Sequence, residues 1–289
     1  MKKYLLITLI LTITSCDIVE GPYITDSDSY VNPDKKVLIE DFTGHLCPNC
    51  PNAAREIEAI HTIYGDQIIA LAIHVSPDFA RPYSANQAPS FQYDFRTEWG
   101  NNWDNFYNIS NNGLPKGMIN RIGYQNESHV LGKDEWASIV TNELKKETDF
   151  SISIEADTNE ITVYSTLENT VINNYNIVVC LAESNIINWQ KDGQNNIEDY
   201  QHNHVLRSVV YDDKLSNQST LVSGTVVEKN IDININQLEQ DNIDYSNNIA
   251  EAGNGNAGGW NADNMSIIAY IYNTITKEVV QVEEVDLNN

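Results

Sequence analysis

Two cysteines separated by two residues, Cys47-Pro48-Asn49-Cys50, are the side chains of this sequence best suited to covalent chemistry. A dithiol of this spacing exchanges with disulfides: one thiolate attacks, and the second cysteine resolves the mixed disulfide that forms. The sulfurs must be adjacent with only the first exposed. A helix start meets that need, since unpaired N–H groups and the positive end of the helix dipole lower the pKa of the first thiol while the second turns inward. Cys47 is therefore the expected nucleophile and Cys50 the resolver, with Pro48 in the first helical turn, where its missing N–H is not needed. The same spacing also suits a structural disulfide that performs no exchange, or half of a zinc site. Zinc would need a second pair or a histidine cluster at suitable spacing, and the sequence offers neither. His202 and His204 lie two apart entering a strand-like run, so their rings are expected on one face and are the weak candidates for metal ligation. Residues 253–264 carry oxygen donors but lack the Asp spacing and closing Glu of a calcium loop, and read as a solvated loop. No Ser-His-Asp signature, phosphate-cradling glycine loop or paired-carboxylate motif is present, so no cofactor is expected.

The elements that must position this dithiol follow an N-terminal leader. Lys2 and Lys3 precede an apolar stretch of about ten residues, long enough for the core of a signal peptide and too short to span a bilayer. The stretch ends in Ile13-Thr14-Ser15-Cys16, which resembles the lipobox of bacterial lipoproteins. That resemblance implies removal of residues 1–15 and diacylation of Cys16, and residues 16–35, rich in Asp, Ser, Pro and Gly, read as a flexible tether. Beyond Cys16 no apolar run approaches the roughly twenty residues of a membrane helix, so the chain is expected to hang from a membrane by lipid alone. Its formal charge of −24 would repel phosphates and makes nucleic acid a poor partner. The remaining cysteine, Cys180, sits inside an apolar run and is expected to be buried, so only one disulfide is on offer.

From Lys36 the texture is α/β. Residues 37–42 read as a buried strand and residues 67–74 as a second, continuously apolar one, typical of a parallel sheet, and residues 52–64 between them have helical spacing at Ala53, Ile57 and Ile60. Aromatic residues Trp99, Trp103, Phe106 and Tyr107 suggest helices packed on the sheet; residues 118–131 suggest a β-hairpin, and residues 133–146 an amphipathic helix. After Asp149 the pattern changes to seven short alternating segments bounded by Asn, Asp and Gly, the signature of an antiparallel, immunoglobulin-like β-sandwich. The expected architecture is therefore an α/β domain over residues 36–148 followed by an all-β sandwich over residues 149–289.

The order of elements up to residue 148 resembles the thioredoxin fold, and the resemblance sharpens around the motif. Asp41-Phe42 closes a strand with the aspartate six positions before Cys47, as in thioredoxins, and Leu114-Pro115 matches that family's cis-proline loop. The resemblance implies that Asp41 moves the proton of Cys50 and that Pro115, in the cis form, offers backbone to an extended substrate opposite the dithiol. Leu46 replaces the usual aromatic residue before the first cysteine, and Pro48-Asn49 differs from the intervening pairs of both reducing and oxidising members. It implies a potential between roughly −270 and −120 mV, with His45 as an additional tuner. Over its mature length the chain also resembles a family of outer-membrane lipoproteins named after a protein of twenty-eight kilodaltons. The matching stretches are Glu40-Asp41-Phe42-Thr43-Gly44 before the dithiol, Asn120-Arg121 after the Gly-x-Pro loop, and His202-Asn203-His204-Val205-Leu206-Arg207. This implies outer-membrane location, on the periplasmic or the cell-surface face, and a family discussed as adhesin-like or receptor-like as well as redox-related.

Two functions are consistent with these residues. One is an envelope thiol-disulfide oxidoreductase using Cys47, Cys50, Asp41 and Pro115, with envelope thiols and disulfides as partners. The other is a non-catalytic binding or adhesin-like lipoprotein in which the thioredoxin-like part is scaffold and the sandwich engages a surface partner.

Overall fold

The computed structural model describes residues 31–84 and 86–288. The leader expected over residues 1–15 and the acylation site Cys16 lie outside the described residues. Structure begins earlier than residue 36: Asn32 and Lys35 are buried, and the Gln67 side-chain amide donates to both of their carbonyl oxygens at 2.8 Å. Residues 32–35, expected in the tether, thus belong to the folded body, and residues 16–30 lie outside the described residues.

The chain opens with β1 (Val37–Thr43), α1 (Cys50–Tyr64) and β2 (Ile68–His74), with β1 and β2 parallel. Every residue of β1 is buried, Glu40 and Asp41 included, as in a strand covered on both faces. Next come α2 (Glu98–Tyr107), β3 (Lys116–Ile119), antiparallel to β1, and α3 (Lys133–Glu143). The hairpin expected over residues 118–131 is reduced to a single bridge between Gly117 and Leu131.

The C-terminal half holds β4 (Phe150–Ala156), β5 (Glu160–Leu167), β6 (Val171–Ile172), β7 (Tyr175–Glu183), β8 (Ile186–Asp192), β9 (Asn195–His202), β10 (Val205–Lys214), β11 (Thr220–Leu221) and β12 (Val226–Asp232). They are followed by α4 (Ile235–Asn248), β13 (Met265–Asn273) and β14 (Val279–Asp286). Here the architecture departs from two separate bodies. A single seven-stranded mixed sheet runs in the order β14-β13-β7-β10-β2-β1-β3, so β10 lies directly against β2 with Val205 paired to Ala72. The sheet curls, and β14 returns beside β1: Val279 N–H donates to Asn120 O at 2.9 Å and Lys36 N–H to Gln281 Oε1 at 3.1 Å. A two-layer β arrangement does exist, because the sheet β12-β5-β4 buries Phe150, Ile161 and Val163 against Ile177, Val179 and Ile267. One of its layers is nonetheless the continuation of the N-terminal sheet. The physical reason is that Ile177–Glu183 is buried at every position, so β7 needs cover on both faces. Its odd residues face the small sheet, and Val178, Cys180 and Ala182 pack in one cluster with Leu38, Phe42, Leu71 and Trp103. Among the described residues no helix is long and apolar enough to cross a membrane.

Candidate functional site

Asp41 is the central side chain of the site. Strand alternation puts Val37, Ile39 and Asp41 on the α1 face of β1, and Leu38, Glu40 and Phe42 on the other. Asp41 is paired in register with Ala72 of β2 and Gly117 of β3. Its carboxyl is buried, Oδ1 has no protein hydrogen-bond partner, and burial pushes its pKa up to about 8. At neutral pH Asp41 is an acid holding its proton.

The chain then turns at Gly44, where a Cβ would lie 2.3 Å from Phe79 O, so only glycine fits. Cys47 and Cys50 are joined in a disulfide. Helix α1 begins at Cys50 and not at Cys47, with Asn49 as its N-cap residue and Pro51 in the first turn, a role expected of Pro48. The Leu114–Pro115 peptide bond is cis, and the β1–β3 register, with Phe42 opposite Lys116, brings Pro115 to the end of β1 from which the cysteine turn departs.

Both sulfur-bearing residues are covered: Cys47 is 1% and Cys50 2% exposed. The expectation of an exposed first cysteine is therefore corrected. Its cover is the hairpin β8–β9, which runs along the cysteine turn. Lys191 N–H donates to His45 O at 2.9 Å and Gly193 N–H to Pro48 O at 2.8 Å. The Gln190 side chain, itself buried, donates to Cys47 O at 3.1 Å and Gly44 O at 3.3 Å, and Arg55 of α1 pairs with Asp192 at 3.1 Å. On the other side Leu46 N–H donates to Phe79 O at 2.9 Å. Sequence reading missed this hairpin, whose signal was the turn dipeptide Asp192-Gly193, with Gly193 at φ 58°.

Behind the dithiol lies a buried histidine cluster. His74 stacks on Phe95 at 4.5 Å between ring centres, His202 lies 4.5 Å from the same ring, and His45 5.7 Å from it. Burial lowers His45 to about 4 and His202 to about 3, and holds His74 well below the usual imidazole range. His45 is consequently neutral, its Nε2 3.0 Å from Arg81 O, and brings no positive charge to a thiolate. His202 closes β9, and His204, at φ 57°, lies in the turn before β10, so the strand alternation that was expected to align the two rings does not apply, although both line one cavity. Among the described residues no group of three or more His, Cys, Asp or Glu side chains is placed to hold a metal ion.

Asp41 and Cys50 open onto one cavity of ≈ 570 Å³, bounded by α1, β2 and the turn from β9 into β10. The other motif residues serve the fold. Arg121, at the end of the cis-proline segment, donates to both Glu40 oxygens at 2.6 and 2.8 Å and to Tyr270 Oη at 2.6 Å, and Asn120 Oδ1 accepts from Leu38 N–H at 2.9 Å. Arg207 pairs with Glu183 at 2.7 Å and lies over Tyr93 and Trp260. Residues 253–264 are stitched to the rest of the chain rather than free in solvent, with Asp94 N–H donating to Asn256 O at 2.8 Å and Asn261 N–H to Glu183 Oε1 at 3.0 Å.

The family profile described as Outer membrane protein Omp28 matches residues 101–289. HBP35 of Porphyromonas gingivalis aligns with a TM-score of 0.58 at 12% identity, over 88% of this chain and 76% of that one. A structural-genomics protein from Agrobacterium tumefaciens aligns with a TM-score of 0.51 at 12% identity, over 88% of this chain and 96% of that one. These two likenesses are of fold alone. A domain of the outer membrane lipoprotein Omp28 from Porphyromonas gingivalis is 19% identical over 50% of this chain and 91% of that domain, with a TM-score of 0.25. No curated protein matches the sequence significantly.

Proposed function

The chain belongs to the Omp28 family of outer membrane proteins, and from that premise we propose that it is a thiol-disulfide exchange protein of the envelope whose dithiol works from beneath the β8–β9 hairpin. In this reading residues 36–148 are a thioredoxin-like unit, Cys16 carries the lipid after removal of residues 1–15, and the partners are envelope proteins with thiols or disulfides. The observation that carries the reading is Asp41. A disulfide that only braces a turn has no use for a buried carboxyl without a partner, which costs stability; one that must release Cys50 needs a proton donor nearby. In the oxidised form a substrate thiolate attacks Cys47 Sγ, the Cys47–Cys50 bond breaks, and Cys50 Sγ leaves with the electron pair and takes the Asp41 proton. A second substrate thiolate then attacks the substrate sulfur of the mixed disulfide, leaving the substrate oxidised and Cys47 as a thiolate.

A second reading, a binding or adhesin-like lipoprotein with a scaffold disulfide, is favoured by the burial of Cys47 under the hairpin. The two are separated on the unlipidated chain from residue 16, carrying Cys16→Ser. Exchange predicts a Cys47 pKa well below the reference of about 8.5 and a potential above roughly −300 mV. It also predicts mixed disulfides trapped in the envelope by Cys50→Ser and none by Cys47→Ser. A normal thiol pKa, a lower potential and no trapped partner would leave the binding reading in place.

A further inference from the structure

The cavity beside Asp41 arises from a small-residue pattern in a strand that is otherwise large. On the α1 face β2 presents Ile68, Ala70, Ala72 and His74, whereas its other face carries Ile69, Leu71 and Ile73 in a closed core. Ala72 is half-buried although β2 lies in the middle of a seven-stranded sheet, because nothing larger than a methyl group fills the space over it. The resulting ≈ 570 Å³ falls in the range of small-molecule sites, which are mostly apolar with a few convergent polar groups.

Three buried polar side chains line this cavity, the His74 and His202 ring centres 5.6 Å apart. Asp41 Oδ1, His74 Nδ1 and His202 Nε2 belong to buried side chains that line the cavity, and none has a protein hydrogen-bond partner. Native proteins rarely leave so many buried polar atoms unmatched in one place, since each loses its hydration with no hydrogen bond in return. The groups are neutral at pH 7: burial raises the acid and lowers both imidazoles. At this neutral end a charged ligand would lose its hydration without gaining a counter-charge. The charged side chains elsewhere in the lining, Glu58 and Glu284 against Arg55, are of opposite sign.

We propose that this cavity is a binding site for an uncharged small molecule with an apolar body, seated over Ala70 and Ala72, and one hydrogen-bonding head, such as an alcohol, amide or phenol, directed at Asp41, His74 and His202. The proposal does not rest on dithiol exchange, because the floor of Ala70 and Ala72 and the imidazoles of His74 and His202 take no part in that reaction. The test uses N-phenyl-1-naphthylamine, an uncharged apolar fluorophore with a single N–H, titrated into the Cys16→Ser chain. Saturable enhancement at one probe per protein is expected. Ala72→Phe, which fills the floor, should weaken binding at least tenfold with circular dichroism and Tm unchanged. The same titration in a Cys47→Ser chain, which cannot exchange disulfides and keeps every residue of the cavity lining, should match the parent, which separates the site from the redox reading. Should Ala72→Phe not fold, Ala72→Leu is read in the same way. Absence of saturable enhancement, or equal affinity in the parent and the filled variant, overturns the proposal.

Discussion

At the scale of single residues the site is a set of buried titratable groups held in their neutral forms. The three histidines are depressed, so the folded chain stays unprotonated where the unfolded chain takes up protons below about 6.5. Their contribution is fully present above that pH and is lost as pH falls through about 4 for His45 and about 3 for His202. Asp41 acts on the opposite side. Raised to about 8, it contributes fully below the ordinary carboxylate range and loses that contribution as pH rises through 8. Urea melts between pH 4 and 9 should therefore trace a dome. His202→Phe, which keeps an aromatic ring against Phe95, should flatten the acid limb by about 1.4 kcal/mol per pH unit, and Asp41→Asn should flatten the alkaline limb. Limbs unchanged by these substitutions would mean that the groups are not neutral in the fold.

At the scale of elements the controlling feature is the β8–β9 hairpin. Its strands are mostly polar, and it holds the cysteine turn by backbone pairing, by Gln190 and by the exposed Arg55–Asp192 pair. These contacts are unequal. Removing the buried Gln190 amide leaves Cys47 O and Gly44 O without that donor, a loss of about 1–3 kcal/mol, whereas an exposed ion pair is worth about 0–1 kcal/mol. Because 1.4 kcal/mol is a factor of ten in an equilibrium, Gln190→Ala should speed reduction of the disulfide by dithiothreitol roughly ten- to a hundredfold, while Arg55→Ala should change it little. Equal rates in Gln190→Ala and parent would show that the hairpin does not limit access.

Residues 31–288 form one body because their main sheet passes through the place where the sequence changes texture. Val178, Cys180, Leu206, Ile268, Tyr270 and Val282 share a core with Leu38, Phe42, Leu71 and Trp103. A fragment of residues 149–289 would keep the core around Phe150, Ile177 and Ile267 but expose the opposite face of its main sheet to water and leave Tyr270 without Arg121. It should show no cooperative thermal transition and a collapsed amide spectrum in NMR. A sharp transition with dispersed amides would instead establish an independent C-terminal domain.

Sequence alone was sufficient for what depends on neighbours along the chain. The apolar runs of β1 and β2, the periodicity of α1 and α3 and the Cys-x-x-Cys spacing are local signals, and each led to an element or pair at its place. Family membership was legible in the same way, through short stretches such as Asn120-Arg121 and His202 to Arg207, although their roles were not: both arginines proved to be partners of buried carboxylates. Residues far apart in sequence decided the rest. That Cys47 is covered follows from contacts with a hairpin more than 140 positions away, and the insertion of β10 beside β2 follows from how β7 and its neighbours find cover on both faces. The cavity is likewise tertiary, since Ala70 and Ala72 are visible in sequence but become a floor only when α1 and the turn after His202 close around them. Burial of a charge, access to a sulfur and the shape of a cavity are set by what packs against a residue, and that is decided only when the sheet closes.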